Sequence, residues 1–263
     1  MTDWLALVIG NTRWHWAWFD GAKLKQVWHT PHLTSLDPGV PKPTLRSILT
    51  DWAPPPLLNL PLESMGLWAT TVVPSQTHHL QQIPTVRWID QFFLEGCYPT
   101  MGLDRVITLA GAGYRYDWPV LIIDAGTALT FTAGAARKFL GGAILLGLRS
   151  HFTALHEYTA ALPLAHPSLQ LPPRWAKDTV SALQSGVIYT TLASVHQFIQ
   201  DWQQQYPTTT VIFTGGDGEY LHQVYQQTYQ TKQNQTLTER TWFDANLMFW
   251  GIFTYRRDVT RAL

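Results

Sequence analysis

The sequence predicts an α/β fold made of two related lobes that face each other across a cleft. An internal repeat is the main evidence: "LALVIGNTRWHW" at residues 5–16 and "LIIDAGTALTF" at 121–131 each give an apolar strand, a glycine turn with a hydroxyl, and a second strand. Helical patterns follow the strands in both halves. We therefore expect an N-terminal lobe over residues 1–115 and a C-terminal lobe over 116–263, with ligands bound beyond the strand ends.

The first half of the chain contains five candidate strands and two candidate helices. "DG" at residues 20–21 is a hairpin signal between the second and third strands. The proline-rich stretch 30–62 predicts loops around one short helix. Gly102 suits the start of a second helix with apolar residues at helical spacing. The predicted strands are 4–9, 14–19, 23–29, 67–73 and 86–89, and the predicted helices are 44–52 and 102–116.

The second half repeats the strand–turn–strand pattern and then becomes mostly helical. "TTVIFTGGDG" at 209–218 reads as a further strand that runs into a glycine turn. The Gln/Thr-rich segment 223–238 is expected to be mostly solvated surface. The other predicted strands are 120–126, 128–134 and 139–146, and the predicted helices are 147–161, 178–204, 217–227 and 244–257.

Composition and charge exclude several classes of protein. Lys plus Arg and Asp plus Glu both total 18, so no net field attracts nucleic acid or an anionic membrane. Cys97 is the single cysteine, which excludes an intramolecular disulfide and a cysteine zinc cluster. The start of the chain lacks the pattern of a signal peptide, and no stretch has the length of a membrane span. We expect a cytoplasmic protein with neither nucleic-acid nor membrane partners.

Three glycine turns have the parts of a phosphate-binding loop. They are "GNTR" (10–13), "DAGTA" (124–128) and "TGGDG" (214–218), and each follows an apolar strand. Glycine lets several backbone N–H groups converge on a phosphate, and a neighbouring Thr adds a hydroxyl donor. Any one of them alone would be interpreted as an ordinary turn. Three together favour a nucleotide site.

Two carboxylates and one arginine are candidates for chemistry. Asp124 lies two residues before the glycine of the second turn, where it either caps the turn or binds a hard cation beside phosphate oxygens. We favour the cation. Asp104, in "GLDR" (102–105), suits the first turn of a helix through the dipole alone, but it is also placed to accept a proton from a substrate hydroxyl. The positive charge of Arg105 is unfavourable at this end of the helix dipole, and a bound ligand carboxylate would offset that cost.

At these residues the chain resembles the type III pantothenate kinases of the actin-like, acetate and sugar kinase superfamily, over nearly its full length. The resemblance implies two RNase H-like (actin-like ATPase) lobes with mixed sheets flanked by helices. It also implies transfer of the γ-phosphate of ATP to the terminal hydroxyl of pantothenate, the first committed step towards coenzyme A. The motifs that carry it are "IGNTR" (9–13), "TTVVP" (70–74), "GLDR" (102–105), "DAGTALT" (124–130), "GGAILLGL" (141–148), "KDT" (177–179), "SG" (185–186) and "TGGDG" (214–218).

The same resemblance assigns roles to particular residues. Asp104 is the expected catalytic proton acceptor, and Asp124 is expected to bind K⁺ or NH₄⁺, with Mg²⁺ accompanying ATP. In a homodimer, Thr179 is expected to reach the substrate of the neighbouring subunit. The expected pantothenate contacts are Gly102, Leu103, Asp104, Arg105, Thr179 and Tyr98. The expected ATP contacts are Val8, Ile9, Gly10, Asn11, Thr12, Arg13, Trp14, His15, Thr127, Gly215 and Gly216.

Four positions depart from the family pattern. Val8 replaces an acid expected to help position magnesium, and His15 replaces a frequent lysine. Leu146 replaces a proline, and the loop that carries Tyr98 is shorter than usual. Two interpretations follow: a working kinase whose magnesium is held by ATP oxygens and water, or a catalytically weak nucleotide-binding relative with a regulatory or accessory role. We favour the kinase, because "GLDR" (102–105) is intact.

Overall fold

The computed structural model describes residues 3–33, 44–81, 83–168, 170–229 and 240–262. By its contacts the chain divides into two compact units. The first unit contains Met1–Phe93, Tyr98–Gly111 and Met248–Leu263, and the second contains Leu94–Cys97 and Ala112–Leu247. The division into lobes of residues 1–115 and 116–263 stays a prediction.

The first unit contains a five-stranded mixed sheet with the order β3-β2-β1-β4-β5. β1 pairs antiparallel with β2 and parallel with β4. At the edges, β3 pairs antiparallel with β2, and β5 pairs parallel with β4. The predicted Asp20-Gly21 hairpin is present, and Gly21 has a φ of 57°, which glycine adopts without strain. The strands are β1 (Asp3–Ile9), β2 (Trp14–Asp20), β3 (Lys23–Thr30), β4 (Gly66–Thr71) and β5 (Val86–Trp88).

The second unit repeats this topology strand for strand. Its sheet has the order β10-β9-β6-β7-β8, so the first strand again pairs antiparallel with the next strand and parallel with the fourth. The internal repeat predicted from the two glycine turns is thus confirmed at the level of the sheets. The strands are β6 (Val120–Ala125), β7 (Ala128–Ala135), β8 (Lys138–Leu146), β9 (Thr210–Thr214) and β10 (Thr241–Phe243).

The proline-rich part of the first unit holds more helix than the sequence predicted. The expected helix over 44–52 is a shorter one, α1 (Leu45–Leu49), whose N-cap Thr44 accepts a hydrogen bond from the backbone of Ser47. A second helix, α2 (Pro55–Leu58), follows, with a 3₁₀ helix at Leu62–Ser64. The predicted strand 67–73 ends earlier, and a 3₁₀ helix begins at Pro74. The rest of the predicted loop, residues 34–43, lies outside the described residues.

Two apolar clusters cover the two faces of the first sheet. Leu5, Leu7 and Ile9 point to one face and pack against the segment that contains α1 and α2. Trp4, Ala6 and Val8 point to the other face, as expected from the alternation of side chains along a strand. There they join side chains of α3 (Leu103–Tyr116) and α7 (Leu247–Ala262), including Ile107, Phe249, Ile252 and Phe253. Both helices were predicted at nearly these positions.

Helices of the second unit pack against its sheet in one large core. Leu192, Val195 and Ile199 form part of the buried face of α5 (Thr179–Gln205), and Asp178 caps its start by accepting from the backbone N–H of Ser181 at 2.9 Å. α4 (Leu148–Glu157) ends before the predicted residue 161, and α6 is Gly218–Tyr229. Of the predicted surface segment 223–238, residues 230–238 lie outside the described residues. No described helix is both long and apolar enough to span a membrane.

Candidate active site

The first glycine turn is a four-residue connection between β1 and β2. The backbone N–H of Gly10 donates to the carbonyl of Arg13 at 3.1 Å, while Asn11, Thr12 and Arg13 are exposed. The neighbouring side chains of Ile9 and Trp14 are fully buried in the apolar core. These two residues can therefore offer a ligand only backbone atoms, whereas the turn itself offers backbone and side-chain donors.

The two departures Val8 and His15 are cross-strand partners. Val8 of β1 pairs with His15 of β2 and with Thr70 of β4, and His15 pairs with His29 of β3, so the four side chains form one row on one face. Val8 is 4% exposed and belongs to the apolar cluster that α3 and α7 cover. The row therefore has an apolar side chain where the family pattern has an acid, and an imidazole where it has a lysine.

Imidazole rings surround the first turn. A Cβ at Gly10 would lie 3.4 Å from Nε2 of His15, and a ring nitrogen of His32 lies 2.8 Å from the Gly10 carbonyl oxygen. Burial, followed by the nearby His29 and Arg13, lowers the pKa of His15 to about 4. The pKa of His29 is also lowered, chiefly by burial and then by Arg13. At neutral pH the row is therefore uncharged.

The start of α3 holds the predicted proton acceptor. Asp104 is half-buried, and its Oδ1 accepts a hydrogen bond from the backbone N–H of Arg105 at 2.9 Å. A Cβ added at Gly102 would clash with this same Oδ1, so the glycine leaves the space that the carboxylate occupies. An ionised carboxylate has further lone pairs that can accept a proton from a substrate hydroxyl.

The structure brings two of the expected pantothenate contacts together. Nη1 of Arg105 donates to the hydroxyl of Tyr98 at 3.0 Å, although the loop between them is short. Arg105 is only 7% exposed, whereas Tyr98 is 42% exposed. Leu103 packs against the apolar cluster that contains Val8, which ties the start of α3 to the end of β1. A buried cation with an exposed phenol beside it suits an anionic ligand.

The second glycine turn is tighter than the first and carries the other carboxylate. It connects β6 and β7 through Gly126 and Thr127 alone, with the Gly126 N–H donating to the Ala128 carbonyl at 3.0 Å. Asp124 pairs with Thr130 on one side and Thr214 on the other, so three oxygen-bearing side chains share a row. This row corresponds, strand for strand, to the row of Val8 in the first sheet.

The third glycine turn lies directly against Asp124. Gly215 has a φ of 87°, and a Cβ there would clash with Oδ1 of Asp124 and with the backbone of Ala125. The backbone N–H of Asp217 donates to the carbonyl of Ala125 at 2.9 Å, which fixes the turn on the end of β6. Gly216 is exposed. The second and third turns, predicted separately as ATP contacts, thus form one surface with the carboxylate.

The start of α4 completes this surface, although no motif of the sequence predicts its contribution. The carbonyl of Thr127 accepts hydrogen bonds from the Gly147 N–H at 2.9 Å and from the Ser150 hydroxyl at 2.7 Å. A Cβ at Gly147 would clash with the backbone of Gly126 and Thr127. Nε of Arg149 donates to Oδ1 of Asp217 at 2.8 Å. The glycine after a strand was the available signal, but contacts across 68 residues cannot be inferred from spacing.

Thr179 lies at a different place in the second unit. It is exposed in the first turn of α5 and lines a cavity of about 570 Å³, as do Leu145 and Leu155. The lining includes no residue of the second or third turn. His151 also lines it, and its Nδ1 is buried without a hydrogen-bond partner in the described structure. Thr179 therefore lines a different surface from Thr127, Gly215 and Gly216, the ATP contacts predicted for this unit.

The candidate cation site on the second unit is built from oxygen donors. Within the described residues, no cluster of three or more His, Cys, Asp or Glu side chains could hold a metal ion. The carboxylate of Asp124, flanked in its row by Thr130 and Thr214, has the ligand type that hard cations prefer. A magnesium ion that keeps most of its waters and binds ATP oxygens fits such a site, because it needs few protein carboxylates.

Comparison with known sequences identifies one family. A family model described as type III pantothenate kinase matches residues 4–201 of this chain. A type III pantothenate kinase from Nostoc sp. is 39% identical to it, over 96% of this chain and 94% of its own length. One from Thermosynechococcus vestitus is 35% identical, over 98% of this chain and 92% of its own length.

Solved structures with low sequence identity share the fold. A Baf family protein from Campylobacter jejuni, 19% identical, has a TM-score of 0.60 over 98% of this chain and 99% of its own. The activator of the 2-hydroxyisocaproyl-CoA dehydratase from Clostridium difficile, solved with bound ADPNP, has a TM-score of 0.52 at 9% identity, over 100% of this chain and 98% of its own. At these identities the similarity concerns the fold alone.

Proposed function

We propose that this chain, which belongs to the type III pantothenate kinase family, transfers the γ-phosphate of ATP to the terminal hydroxyl of pantothenate. It has the actin-like fold, with two mixed sheets of the same topology flanked by helices. The chain is a kinase, and its reaction supplies the first step of coenzyme A synthesis. One observation carries the assignment within the structure: the Asp104 carboxylate at the start of α3, beside the Arg105–Tyr98 pair.

In the proposed reaction, the Asp104 carboxylate accepts the proton of the pantothenate hydroxyl as the oxygen attacks the γ-phosphorus. The bond between the γ-phosphorus and the β–γ bridging oxygen breaks, and ADP leaves with that oxygen. Arg105 binds the carboxylate of pantothenate, and the Tyr98 hydroxyl that Arg105 already contacts orders the same end of the substrate. Phosphoryl transfer asks a protein mainly for such positioning and for charge stabilisation.

Each unit has its own set of proposed contacts with ATP. In the first unit, the backbone and exposed side chains of Gly10–Arg13 would donate to phosphate oxygens, with the neutral His15 beside them. In the second unit, Thr127 would contact phosphate, and Gly215 and Gly216 would lie near the adenosine. A side chain at Gly215 would clash with Asp124 and Ala125, so the third turn needs a glycine there to keep its place beside the carboxylate.

Two cations accompany ATP in the proposal. Asp124 would hold a monovalent ion, K⁺ or NH₄⁺, because its carboxylate lies in a row with two threonines at the end of β6. Mg²⁺ would bind through ATP oxygens and water, and when bound it neutralises charge that develops on the phosphates. The need for ATP also favours a cytoplasmic location.

The proposal includes a homodimer. β8 is an edge strand of the second sheet, and Ile144 and Leu146 on it are 60% and 50% exposed. On α5, Val180 next to Thr179 is 45% exposed. Contiguous patches of such side chains mark protein contact surfaces, and the proposal is that these residues belong to one. Thr179 would reach the pantothenate bound by the partner chain.

Mixed dimers test whether Thr179 acts across an interface. Asp104→Asn should abolish turnover, and Thr179→Val should weaken pantothenate binding. If Thr179 acts in the partner, a dimer with one chain of each variant has one complete site, so refolding the two variants together restores activity. If Thr179 acts within its own chain, neither site is complete, and the mixture is no more active than the two variants measured separately.

A coupled assay of ADP release tests the function itself. With ATP and Mg²⁺ present, ADP should appear only after pantothenate is added, and the organic product should gain one phosphate. Nucleotide binding without pantothenate-dependent ADP release would favour the accessory interpretation instead. The relatives described above are named as kinases, and they give that alternative no support.

A further inference from the structure

Arg149 is a cation at the end of a helix where a positive charge is unfavourable, and its ion pair with Asp217 accounts for that position. It is the second residue of α4, where the positive end of the helix dipole opposes an arginine, and the first turn of α4 contains no acidic residue. Its Nε donates to Oδ1 of Asp217 at 2.8 Å. The Arg149 side chain is 70% exposed, so this ion pair contributes little to folding stability. The position of Arg149 therefore points to a role other than stability.

Asp217 is a carboxylate beside a surface proposed to receive phosphates. Its backbone N–H is bonded to Ala125, and its carbonyl accepts from Leu221 in the first turn of α6. Its side chain is 9% exposed, so its charge is poorly screened by water. Asp124, a second carboxylate, lies against Gly215 of the same turn. The proposed monovalent cation would offset the charge of Asp124, so the charge of Asp217 is the one that would repel a triphosphate if it had no partner.

The backbone around Arg149 is anchored at this surface. Its neighbours Gly147 and Ser150 both donate to the carbonyl of Thr127, so the first turn of α4 is fixed to the second glycine turn. The bond from Arg149 to Asp217 then connects α4 with the third turn. One guanidinium thus lies between the two turns that contact ATP in the proposed function.

We propose that Arg149 is a positioning residue for ATP, which neutralises Asp217 and so makes the joined second and third turns able to accept a polyphosphate. The proposal rests on the proposed function, because it assumes that these turns bind ATP. It makes a specific claim about charge: the benefit of Arg149 increases with the number of phosphates on the nucleotide, and it disappears when Asp217 carries no charge.

The test measures nucleotide affinity without pantothenate, by calorimetric titration of the whole chain with ATP, ADP and adenosine. Arg149→Ala should weaken ATP binding about tenfold and ADP binding less, with adenosine unchanged. Asp217→Asn in the Arg149→Ala background should return ATP affinity to within about threefold of wild type. Arg149→Lys keeps the charge and should retain most of the affinity. In turnover, Arg149→Ala should raise the KM for ATP and leave kcat nearly unchanged.

Three results would overturn the proposal. The first is an Arg149→Ala chain that binds ATP as tightly as wild type. The second is a double variant that binds ATP no better than Arg149→Ala, and the third is an equal loss of affinity for adenosine, because either would mean that Arg149 only holds α4 in place. A wild-type chain that binds ATP and turns over pantothenate leaves the proposed function intact in all three cases. A wild-type chain that binds no ATP would remove that function, and this proposal with it.

Discussion

Replacing Val8 by Asp introduces a buried carboxylate at the end of β1, and the structure predicts its cost. Val8 is 4% exposed, within the apolar cluster beneath α3 and α7. An isolated carboxylate there stays protonated, so its pKa rises from about 3.9 to above 7, which costs about 4 kcal/mol at neutral pH. That is a large part of the roughly 5–15 kcal/mol by which domains are stable. Val8→Asn matches the shape without the charge and is the control.

A compensating change at His15 should recover part of this loss. Residues 8 and 15 are direct cross-strand partners, so a lysine at 15 would lie beside the new carboxylate. At about 5 Å and an effective dielectric constant of about 20, opposite charges attract by about 3 kcal/mol. The loss in free energy of unfolding of the double variant Val8→Asp/His15→Lys should therefore be smaller, by about 2–3 kcal/mol, than the sum of the losses of the two single variants.

Urea unfolding at two pH values measures these differences. The aspartate has a raised pKa in the folded chain, so the gap between Val8→Asp and Val8→Asn should be small at about pH 4 and should grow towards pH 8. The reasoning is refuted if the two variants unfold at the same urea concentration at about pH 8. The reasoning is also refuted if the stability losses of the two single variants simply add in the double variant. The charges at positions 8 and 15 would then not interact, which would mean that water reaches the row.

The remaining predictions concern the first turn, the substrate end and the cation. The pKa of His15 is about 4 in the folded chain and 6.5 in the unfolded chain. The contribution of the neutral imidazole to folding stability, up to about 3 kcal/mol, should therefore be present above pH 6.5 and lost as pH falls towards 4. His15→Gln should remove this pH dependence of stability in urea unfolding. Tyr98→Phe should raise the KM for pantothenate several-fold and leave the KM for ATP unchanged; equal KM values would exclude Tyr98 as a contact. Activity should rise when potassium replaces sodium and should lose that response in Asp124→Asn, whereas an enzyme indifferent to the ion would argue against a cation at Asp124.

Local sequence signals predicted most elements of the fold because they report local physics. Runs of apolar residues located β1, β2 and β6, and the Asp20-Gly21 hairpin has the positive φ that its glycine indicated. The equal sheet orders follow from the repeated strand–turn–strand pattern. By contrast, the β7–β8 turn uses Ala136 and Arg137 at positive φ, and neither residue type announces such a turn. β10, three residues long, was also missed.

The candidate site was predictable as a set of motifs and not as a set of contacts. The motifs identified Asp104 and Asp124, but the pairing of Val8 with His15 depends on strand register, which spacing alone does not give. The bond from Arg149 to Asp217 joins residues 68 positions apart. Such contacts depend on how distant elements pack, so they become visible only in the folded chain.

Pantothenate-dependent ADP release by Asp104→Asn, with ATP affinity measured in parallel, tests the central claim most directly. Asparagine keeps the shape of the side chain, and its amide oxygen can still accept the hydrogen bond from the Arg105 N–H. It cannot take up the proton of the substrate hydroxyl. We predict ATP affinity within about threefold of wild type and turnover lower by at least about 100-fold. Turnover within about tenfold of wild type would show that another group accepts the proton, and the mechanism proposed here would be wrong.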